Sequence, residues 1–182
     1  IGFFLQNDIL KEYMCRGAYI FPPAAGVKLS VDVLEYCGKY LSKWTPIAVS
    51  GYHIREAGAT AAQEIAFTVA DMIAYFDAAV ARGVDIVSAT KNSYFFLGAQ
   101  MDFLEEVAKF RAARSVFAKI MKERYGVTDE EPQRLKIFAY TNGSAMTAEQ
   151  PINNVIRVTI ETMAAIAGGI QTLATSSYDE AL

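Results

Sequence analysis

The sequence has few of the side chains that bind metals or form disulfide bridges. Its 182 residues include one histidine and two cysteines, Cys15 and Cys37. One histidine excludes a histidine-rich metal centre within this chain, and two isolated cysteines fit neither a zinc-binding spacing nor a disulfide framework. Free cysteines are typical of a reducing compartment, so we expect a cytoplasmic protein.

Basic runs and long uninterrupted apolar runs are also missing. The formal net charge is −3 and the lysines and arginines are scattered, which argues against a nucleic-acid partner. Acidic residues interrupt the most apolar stretches, so none is expected to span a membrane. The chain opens on Ile1 without a charged leader, which we interpret as a segment of something longer rather than a secreted protein.

Apolar material, by contrast, is ample for one ordinary domain. Hydrophobic residues make up 53% of the chain and charged residues 20%, a balance that excludes a disordered protein. We find no low-complexity tract and no internal domain boundary. Residues 1–182 are therefore interpreted as one unit.

Short apolar runs alternate with helical patterns. Strands are predicted to start near positions 3, 47, 94, 135 and 171, and the main helices to cover 8–15, 31–41, 60–82, 101–125 and 153–167. Pro22-Pro23 predicts an extended loop, with Ser30 as N-cap of the next helix. Strand–helix alternation is typical of parallel sheets. The predicted class is α/β, with about four to five parallel strands buried on both faces by covering helices.

Polar segments follow several of these strands. In parallel α/β proteins, functional groups gather at the carboxyl ends of the strands. This rule selects 6–8, 50–53, 141–144 and 175–180 as candidate site segments.

Within and beside these segments, the residue types leave alternatives open. His53 could hydrogen-bond a substrate carbonyl, or could cap the next turn. Arg16 could clamp a carboxylate, or could pair with a local acid. Lys43 precedes a strand, where a lysine is usually only solvated. Gly143 and Gly168-Gly169 lack a phosphate-loop motif around them and are interpreted as turn or capping residues. The residues alone support a small-molecule site on an α/β scaffold.

Six motifs occur in a fixed order along nearly the whole chain. They are Gln6-Asn7-Asp8-Ile9-Leu10-Lys11-Glu12-Tyr13, Tyr19-Ile20-Phe21-Pro22-Pro23, Ser50-Gly51-Tyr52-His53-Ile54-Arg55-Glu56-Ala57-Gly58, Phe110-Arg111-Ala112-Ala113-Arg114, Asn153-Asn154-Val155-Ile156-Arg157 and Tyr178-Asp179-Glu180-Ala181-Leu182. Together they resemble the large or catalytic subunit of the adenosylcobalamin-dependent acyl-CoA mutases, the methylmalonyl-CoA mutase family.

The resemblance implies a partial (β/α)8 TIM barrel. Residues 1–182 would form an incomplete part of the catalytic barrel domain, about four and a half strand–helix units. In this family acyl-CoA threads the barrel axis, cobalamin lies on the carboxyl face, and a radical rearrangement moves the carbonyl-CoA group to the adjacent carbon. The implied reaction is methylmalonyl-CoA to succinyl-CoA, with an isobutyryl-CoA-type mutase as an alternative.

The resemblance also implies roles for single residues. His53 and Tyr52 would be catalytic, with His53 donating to the thioester carbonyl and Tyr52 packing near the reacting centre. Gln6 would lie beside His53, Arg16 would hold the substrate carboxylate, and Lys43 would contact the CoA portion. The residues that would face the corrin or the adenosyl group are Glu56, Gly143, Glu180 and Ala181.

The family's cobalt ligand is a histidine in an Asp-x-His-x-x-Gly motif, which this chain lacks. His53 is preceded by Gly51-Tyr52 and does not match that motif. The resemblance therefore implies that the cobalamin-binding module lies elsewhere in the full protein or on a separate small subunit. It also implies an oligomer.

Some positions depart from the family's pattern. Lys91-Asn92-Ser93-Tyr94 stands where the family reads Pro-Arg-Leu-Ser, and further replaced donors fall at Phe138, Tyr140, Ala174 and Ser176. These changes predict weakened contacts to CoA and corrin. They leave open a degenerate barrel that only binds acyl-CoA or a partner subunit. A Schiff-base aldolase would need a lysine at the end of a strand, whereas Lys136 lies at the start of one.

Overall fold

The computed structural model describes residues 3–41, 43–90 and 93–180. Within them lies a sheet of four parallel strands in the order β1-β2-β3-β4. The strands are Ala48–Ser50 (β1), Tyr94–Ala99 (β2), Lys136–Thr141 (β3) and Thr172–Ala174 (β4). Each strand pairs with its neighbour in sequence, as in an open piece of a barrel. The predicted α/β class with parallel strands is confirmed.

Helices connect the strands and cover one face of the sheet. They are Ile9–Lys11 (α1), Pro23–Tyr40 (α2), Tyr52–Glu56 (α3), Ala61–Ala81 (α4), Ile86–Thr90 (α5), Phe103–Glu123 (α6) and Asn154–Ala167 (α7). A π-helical turn, Glu12–Arg16, continues α1. No helix within the described ranges is long and apolar enough to cross a membrane.

Local sequence signals account for the limits of α4. Thr60 accepts a hydrogen bond from the backbone N–H of Gln63, and the Gln63 side chain accepts one from the Thr60 backbone, which forms a complete capping box. Gly83 ends the helix with φ +74°, a left-handed conformation that glycine adopts without strain. The prediction of a helix over 60–82 is confirmed.

The two faces of the sheet differ in burial. Phe95, Leu97, Ile137 and Ala139 point toward the helices and lie in the hydrophobic core. On the other face of β3, Phe138 remains only partly buried. The prediction that the strands are buried on both faces is therefore wrong for β3, because the described residues leave the inner face of the sheet open.

The amino-terminal part differs from the prediction in two places. The strand expected near position 3 is reduced to one parallel bridge between Phe4 and Thr45. The extended loop expected at Pro22-Pro23 is instead the start of α2, because a proline at the first helical position lacks only an N–H that needs no partner there. Ser30 is thus not an N-cap: it lies inside α2 and donates to the Asn7 carbonyl at 2.7 Å.

Candidate active site

The polar segment after β1 begins a short helix, α3, that the sequence did not predict. Gly51 joins β1 to α3 and is packed too closely to carry a side chain: a Cβ there would lie 2.3 Å from Thr68 Oγ1 and 2.9 Å from Leu97 Cδ2. This close approach brings α3 against α4 and β2. Tyr52 and His53 are therefore held at the carboxyl end of the sheet on a rigid support.

Aromatic rings cover the inner face of the sheet beside α3. Tyr52 stacks on Phe96 with ring centroids 4.9 Å apart and an angle of 2° between the planes. Phe138 contacts Phe96 at 4.7 Å, and Tyr140 contacts Tyr52 at 5.4 Å. We call these four residues the aromatic wall. Burial, with the charges of nearby carboxylates, raises the pKa of Tyr52, so its hydroxyl stays protonated.

His53 stands edge-on to the aromatic wall. Its ring centroid lies 5.2 Å from that of Tyr52 and 5.5 Å from that of Phe96. Its Nδ1 atom is buried and has no hydrogen-bond partner among the described residues. Burial, helped by the charges of Lys11 and Arg16, lowers the pKa of His53 to about 4. The imidazole is therefore neutral near pH 7, with one N–H to donate.

Arg16, one of the three other residues expected to bind the substrate, lies within electrostatic reach of His53. Its guanidinium is exposed, and it reaches the Glu12 carboxylate at 3.4 Å, a long contact. Gln6 is exposed and lines a groove that Glu12 also lines. Both side chains are accessible from solvent.

Lys43 lies at the opposite end of the sheet from His53. It is exposed and lines a groove of about 320 Å³ at the amino ends of the strands, together with Phe4, Thr45, Tyr94 and Phe138. Phe138 also belongs to the aromatic wall. The groove and the wall thus form one continuous inner surface that runs from Lys43 toward His53.

Glu56 and Gly143 are brought together at the end of β3. The Glu56 carboxylate accepts hydrogen bonds from the Ser144 backbone N–H and hydroxyl, both at 3.1 Å, and from the Asn142 side-chain amide. A Cβ added at Gly143 would meet nothing nearer than Glu56 Oε2 at 3.9 Å. The two residues share one surface.

The last candidate segment follows β4. Glu180 is exposed and accepts a hydrogen bond from the Ser177 backbone N–H at 3.2 Å. Its charge is among those that raise the pKa of Tyr52, so it faces the same end of the sheet. The buried amide of Asn154 donates to the Tyr178 carbonyl at 2.9 Å and ties this segment to α7. Ala181 lies outside the described residues.

The sequence placed Asp8 in the candidate segment 6–8 without a role of its own, and the structure places it at the centre of the site's framework. Its buried carboxylate accepts hydrogen bonds from the Ser50 backbone N–H at 2.7 Å and from the Tyr75 hydroxyl at 2.8 Å. Burial raises the pKa of this carboxyl, and both hydrogen bonds oppose the rise. In the sequence, the sign of this role is that the acid Asp8 follows an apolar run, 3–5, and the polar pair Gln6-Asn7.

A buried ion cluster behind β2 was also missed. Lys109 donates to Glu64 at 2.7 Å, to Glu106 at 2.5 Å and to the Gly98 carbonyl at 2.8 Å, while the Gly98 N–H donates to Glu64 at 2.7 Å. Arg55 of α3 reaches Glu106 at 3.4 Å. The cluster joins α3, α4, α6 and β2. Charged residues inside otherwise apolar helix faces were its only signal in the sequence.

The described residues include no group of histidine, cysteine, aspartate and glutamate side chains arranged to hold a metal ion. What the geometry offers is a neutral hydrogen-bond donor beside an apolar aromatic surface, with carboxylates at one end and a lysine at the other. Such an arrangement suits a long, partly apolar ligand with a polar carbonyl group.

Comparison with known proteins places this site in a family. The family model described as methylmalonyl-CoA mutase matches residues 2–182. The chain is 43% identical over 178 residues to a probable mitochondrial methylmalonyl-CoA mutase of Caenorhabditis elegans, covering 98% of this chain and 24% of that protein. It is 42% identical over 178 residues to methylmalonyl-CoA mutase of Escherichia coli, covering 98% of this chain and 25% of that protein.

A third relative is named for a different substrate. The chain is 44% identical over 177 residues to the 2-hydroxyisobutanoyl-CoA mutase large subunit of Aquincola tertiaricarbonis, covering 97% of this chain and 32% of that protein. The chain thus spans 24% to 32% of the length of these relatives. The match over nearly all of its residues shows that the chain belongs to the methylmalonyl-CoA mutase family.

Proposed function

We propose that residues 1–182 form part of the catalytic barrel of an adenosylcobalamin-dependent acyl-CoA mutase that converts methylmalonyl-CoA into succinyl-CoA. The observation that carries this proposal is the neutral His53 imidazole, set against an aromatic wall at the carboxyl end of a parallel sheet. The remaining strands of the barrel would come from the rest of the protein.

The inner surface supports a path for acyl-CoA. Lys43 at the amino-end groove supplies a positive charge for the CoA portion, which carries phosphates. Phe138 continues the groove into the aromatic wall, where an apolar chain can lie out of water. The thioester then reaches His53 at the far end. At that end, the exposed Arg16 guanidinium is available for a substrate carboxylate, and Gln6 supplies a further polar group.

His53 acts as a hydrogen-bond donor in this proposal. A neutral imidazole N–H directed at the thioester carbonyl stabilises negative charge on that oxygen during the rearrangement, without giving up its proton. A donor of this type contributes about 3 kcal/mol when it is aimed where charge develops. Tyr52, stacked on Phe96, lies beside the ring and keeps water away from the reacting carbon.

Free space at the carboxyl end of the sheet supports the proposed place for the cofactor. Gly143 leaves space above the end of β3, since a Cβ there would have no neighbour nearer than 3.9 Å. The residues that would hold adenosylcobalamin are Glu56, Gly143, Glu180 and Ala181. When bound, the cofactor supplies the radical that starts the rearrangement. Its cobalt ligand would come from a cobalamin-binding domain or small subunit outside this chain, in an oligomeric assembly.

Two alternatives have support of their own. An isobutyryl-CoA-type mutase is favoured by the 44% identity to a 2-hydroxyisobutanoyl-CoA mutase subunit. A degenerate barrel that only binds acyl-CoA or a partner subunit is favoured by Phe138 and Tyr140, which form aromatic contacts where the family pattern has hydrogen-bond donors.

One experiment separates these candidates. The full-length protein, with its cobalamin-binding subunit if that is separate, is incubated with adenosylcobalamin and methylmalonyl-CoA, isobutyryl-CoA or 2-hydroxyisobutyryl-CoA in turn. We expect a cob(II)alamin signal in electron spin resonance and succinyl-CoA from methylmalonyl-CoA. Signal and product with isobutyryl-CoA or 2-hydroxyisobutyryl-CoA, and none with methylmalonyl-CoA, would favour the alternative mutase. Binding of acyl-CoA without signal or product from any substrate would contradict the proposal.

A further inference from the structure

The Asp8 carboxylate joins three parts of the fold that meet behind the site. Asp8 is 1% exposed. Among the described residues, it accepts hydrogen bonds from the Ser50 backbone N–H at 2.7 Å, the Tyr75 hydroxyl at 2.8 Å and the Lys11 backbone N–H at 3.3 Å. It therefore connects the loop that carries Gln6, the end of β1, and helix α4.

Ser50 needs this partner because of its place in the sheet. β1 pairs with β2 along one edge. Along its other edge the segment at Phe4 supplies a bridge to Thr45, and Leu5 accepts from the Ala48 N–H at 3.1 Å. Beyond Leu5 the segment turns away, and the Asp8 side chain takes the place of a strand neighbour for the Ser50 N–H. A buried N–H left without an acceptor would be costly.

Tyr75 holds Asp8 from the helix side. The Tyr75 side chain is fully buried. Its hydroxyl donates to Asp8 and accepts from the Leu10 backbone N–H at 2.9 Å. The carboxylate is thus fixed from two sides at once. Movement of Asp8 would change the direction in which the chain leaves β1, three residues before His53.

We propose that Asp8 is a positioning residue for His53: by holding the Ser50 N–H to the Gln6 loop and to Tyr75, its carboxylate sets the orientation of the imidazole toward the substrate. This inference rests on the proposed function, because it takes His53 as the donor to the thioester carbonyl. In this proposal Asp8 acts through the Ser50 N–H and not by binding the substrate.

The kinetic test compares two buried aspartates in the full-length protein. Asp8→Asn keeps the shape but weakens the acceptor, so we expect kcat to fall about 10- to 100-fold while KM for the acyl-CoA changes less than about threefold. The matched control is Asp71→Asn. Asp71 lies one turn before Tyr75 on α4, and its Oδ2 atom has no partner among the described residues. This control is expected to keep kcat.

A double-mutant cycle distinguishes positioning from a general structural role. If Asp8 acts through His53, then Asp8→Asn has no further effect on kcat in a His53→Ala background. Equal losses in both backgrounds would overturn the proposal. Tyr75→Phe removes one donor and leaves the Ser50 contact, so it is expected to give a smaller loss of kcat than Asp8→Asn and serves if Asp8→Asn folds poorly.

Amide hydrogen exchange tests the contact without relying on turnover. In Asp8→Asn, the peptide covering 48–53 is expected to exchange faster than in the wild type, while peptides from α6 keep their protection. Unchanged exchange at 48–53 would overturn the role of Asp8. If the wild type shows no turnover with any acyl-CoA, the proposed function fails, and the exchange result decides the role of Asp8 at the end of β1 on its own.

Discussion

His53 illustrates how its surroundings set the chemistry of a single side chain. Its pKa of about 4 keeps the ring neutral above about pH 5, so it can donate but is a poor acid. We expect His53→Ala to lower kcat by about 10²- to 10³-fold with little change in acyl-CoA affinity.

We also expect the wild-type pH profile of kcat to show no ionisation of His53 near about 6.5, the ordinary histidine value. Steady-state kinetics and equilibrium binding of the full-length variant test both; full activity of the variant contradicts the assignment.

Lys109 illustrates how its surroundings determine the contribution of a single side chain to stability. Its ammonium group lies between the buried carboxylates of Glu64 and Glu106, and removing it would leave both charges without their main partner. We expect Lys109→Met to reduce the free energy of unfolding by about 3–5 kcal/mol, measured by denaturant titration. Lys119→Met on the same helix is the control, because the ion pair of Lys119 with Glu123 is exposed and long, at 4.0 Å. Equal losses in the two variants would show that the cluster contributes nothing specific.

At the scale of elements, the space around each glycine determines whether a side chain is tolerated there. A Cβ at Gly98 in β2 would lie 2.3 Å from Asn142 Oδ1, whereas one at Gly143 has free space around it. We expect Gly98→Ala to lower the thermal midpoint clearly and Gly143→Ala to leave it unchanged. Under the proposed function, Gly143→Ala nevertheless weakens cobalamin binding, which absorption titration measures. A destabilised Gly143→Ala, or tighter cobalamin binding by it, would contradict this division of roles.

Elements with a strong local signal could be predicted from the sequence, and those set by tertiary contacts could not. The helical period of the apolar residues predicted α4, and short apolar runs predicted β1 to β4. The start of α2 at Pro23 was missed because two prolines in series also fit an extended loop. Helix α3 was missed because five residues carry no period, and it is held by the packing of Gly51 instead.

The same division applies to the site. The strand-end rule selected the segments of His53 and Gly143, and Glu56, which only the resemblance singled out, contacts Ser144 beside Gly143. Lys43 fell at the other end, and only the resemblance to a family gave it a role. The partners of Asp8 could not be predicted, because Ser50 and Tyr75 are 42 and 67 residues away in the chain. Long-range hydrogen bonds leave no pattern in a single sequence.

For the whole molecule, buried acids on the covering helices link stability to pH. Burial raises the pKa of Asp71 to about 8, and that of Glu161 to about 8 as well; Glu161 has no hydrogen-bond partner among the described residues for either carboxyl oxygen. Both folded-state values exceed those of an unfolded chain. The folded protein therefore keeps protons that the unfolded chain releases, and stability is lost as pH rises toward the folded-state pKa.

This linkage predicts that the free energy of unfolding falls measurably as the pH rises above neutrality. His53 acts in the opposite sense, since its lowered pKa costs stability as pH falls below about 6.5. The window from about pH 6.5 to about pH 8.5 therefore excludes the titration of His53 and covers that of the two acids. We expect the free energy of unfolding of the full-length protein to fall across that window. The double variant Asp71→Asn, Glu161→Gln should flatten the decline, because neither amide can ionise. An unchanged slope in the double variant would contradict the raised pKa values of Asp71 and Glu161 and assign the decline to other groups.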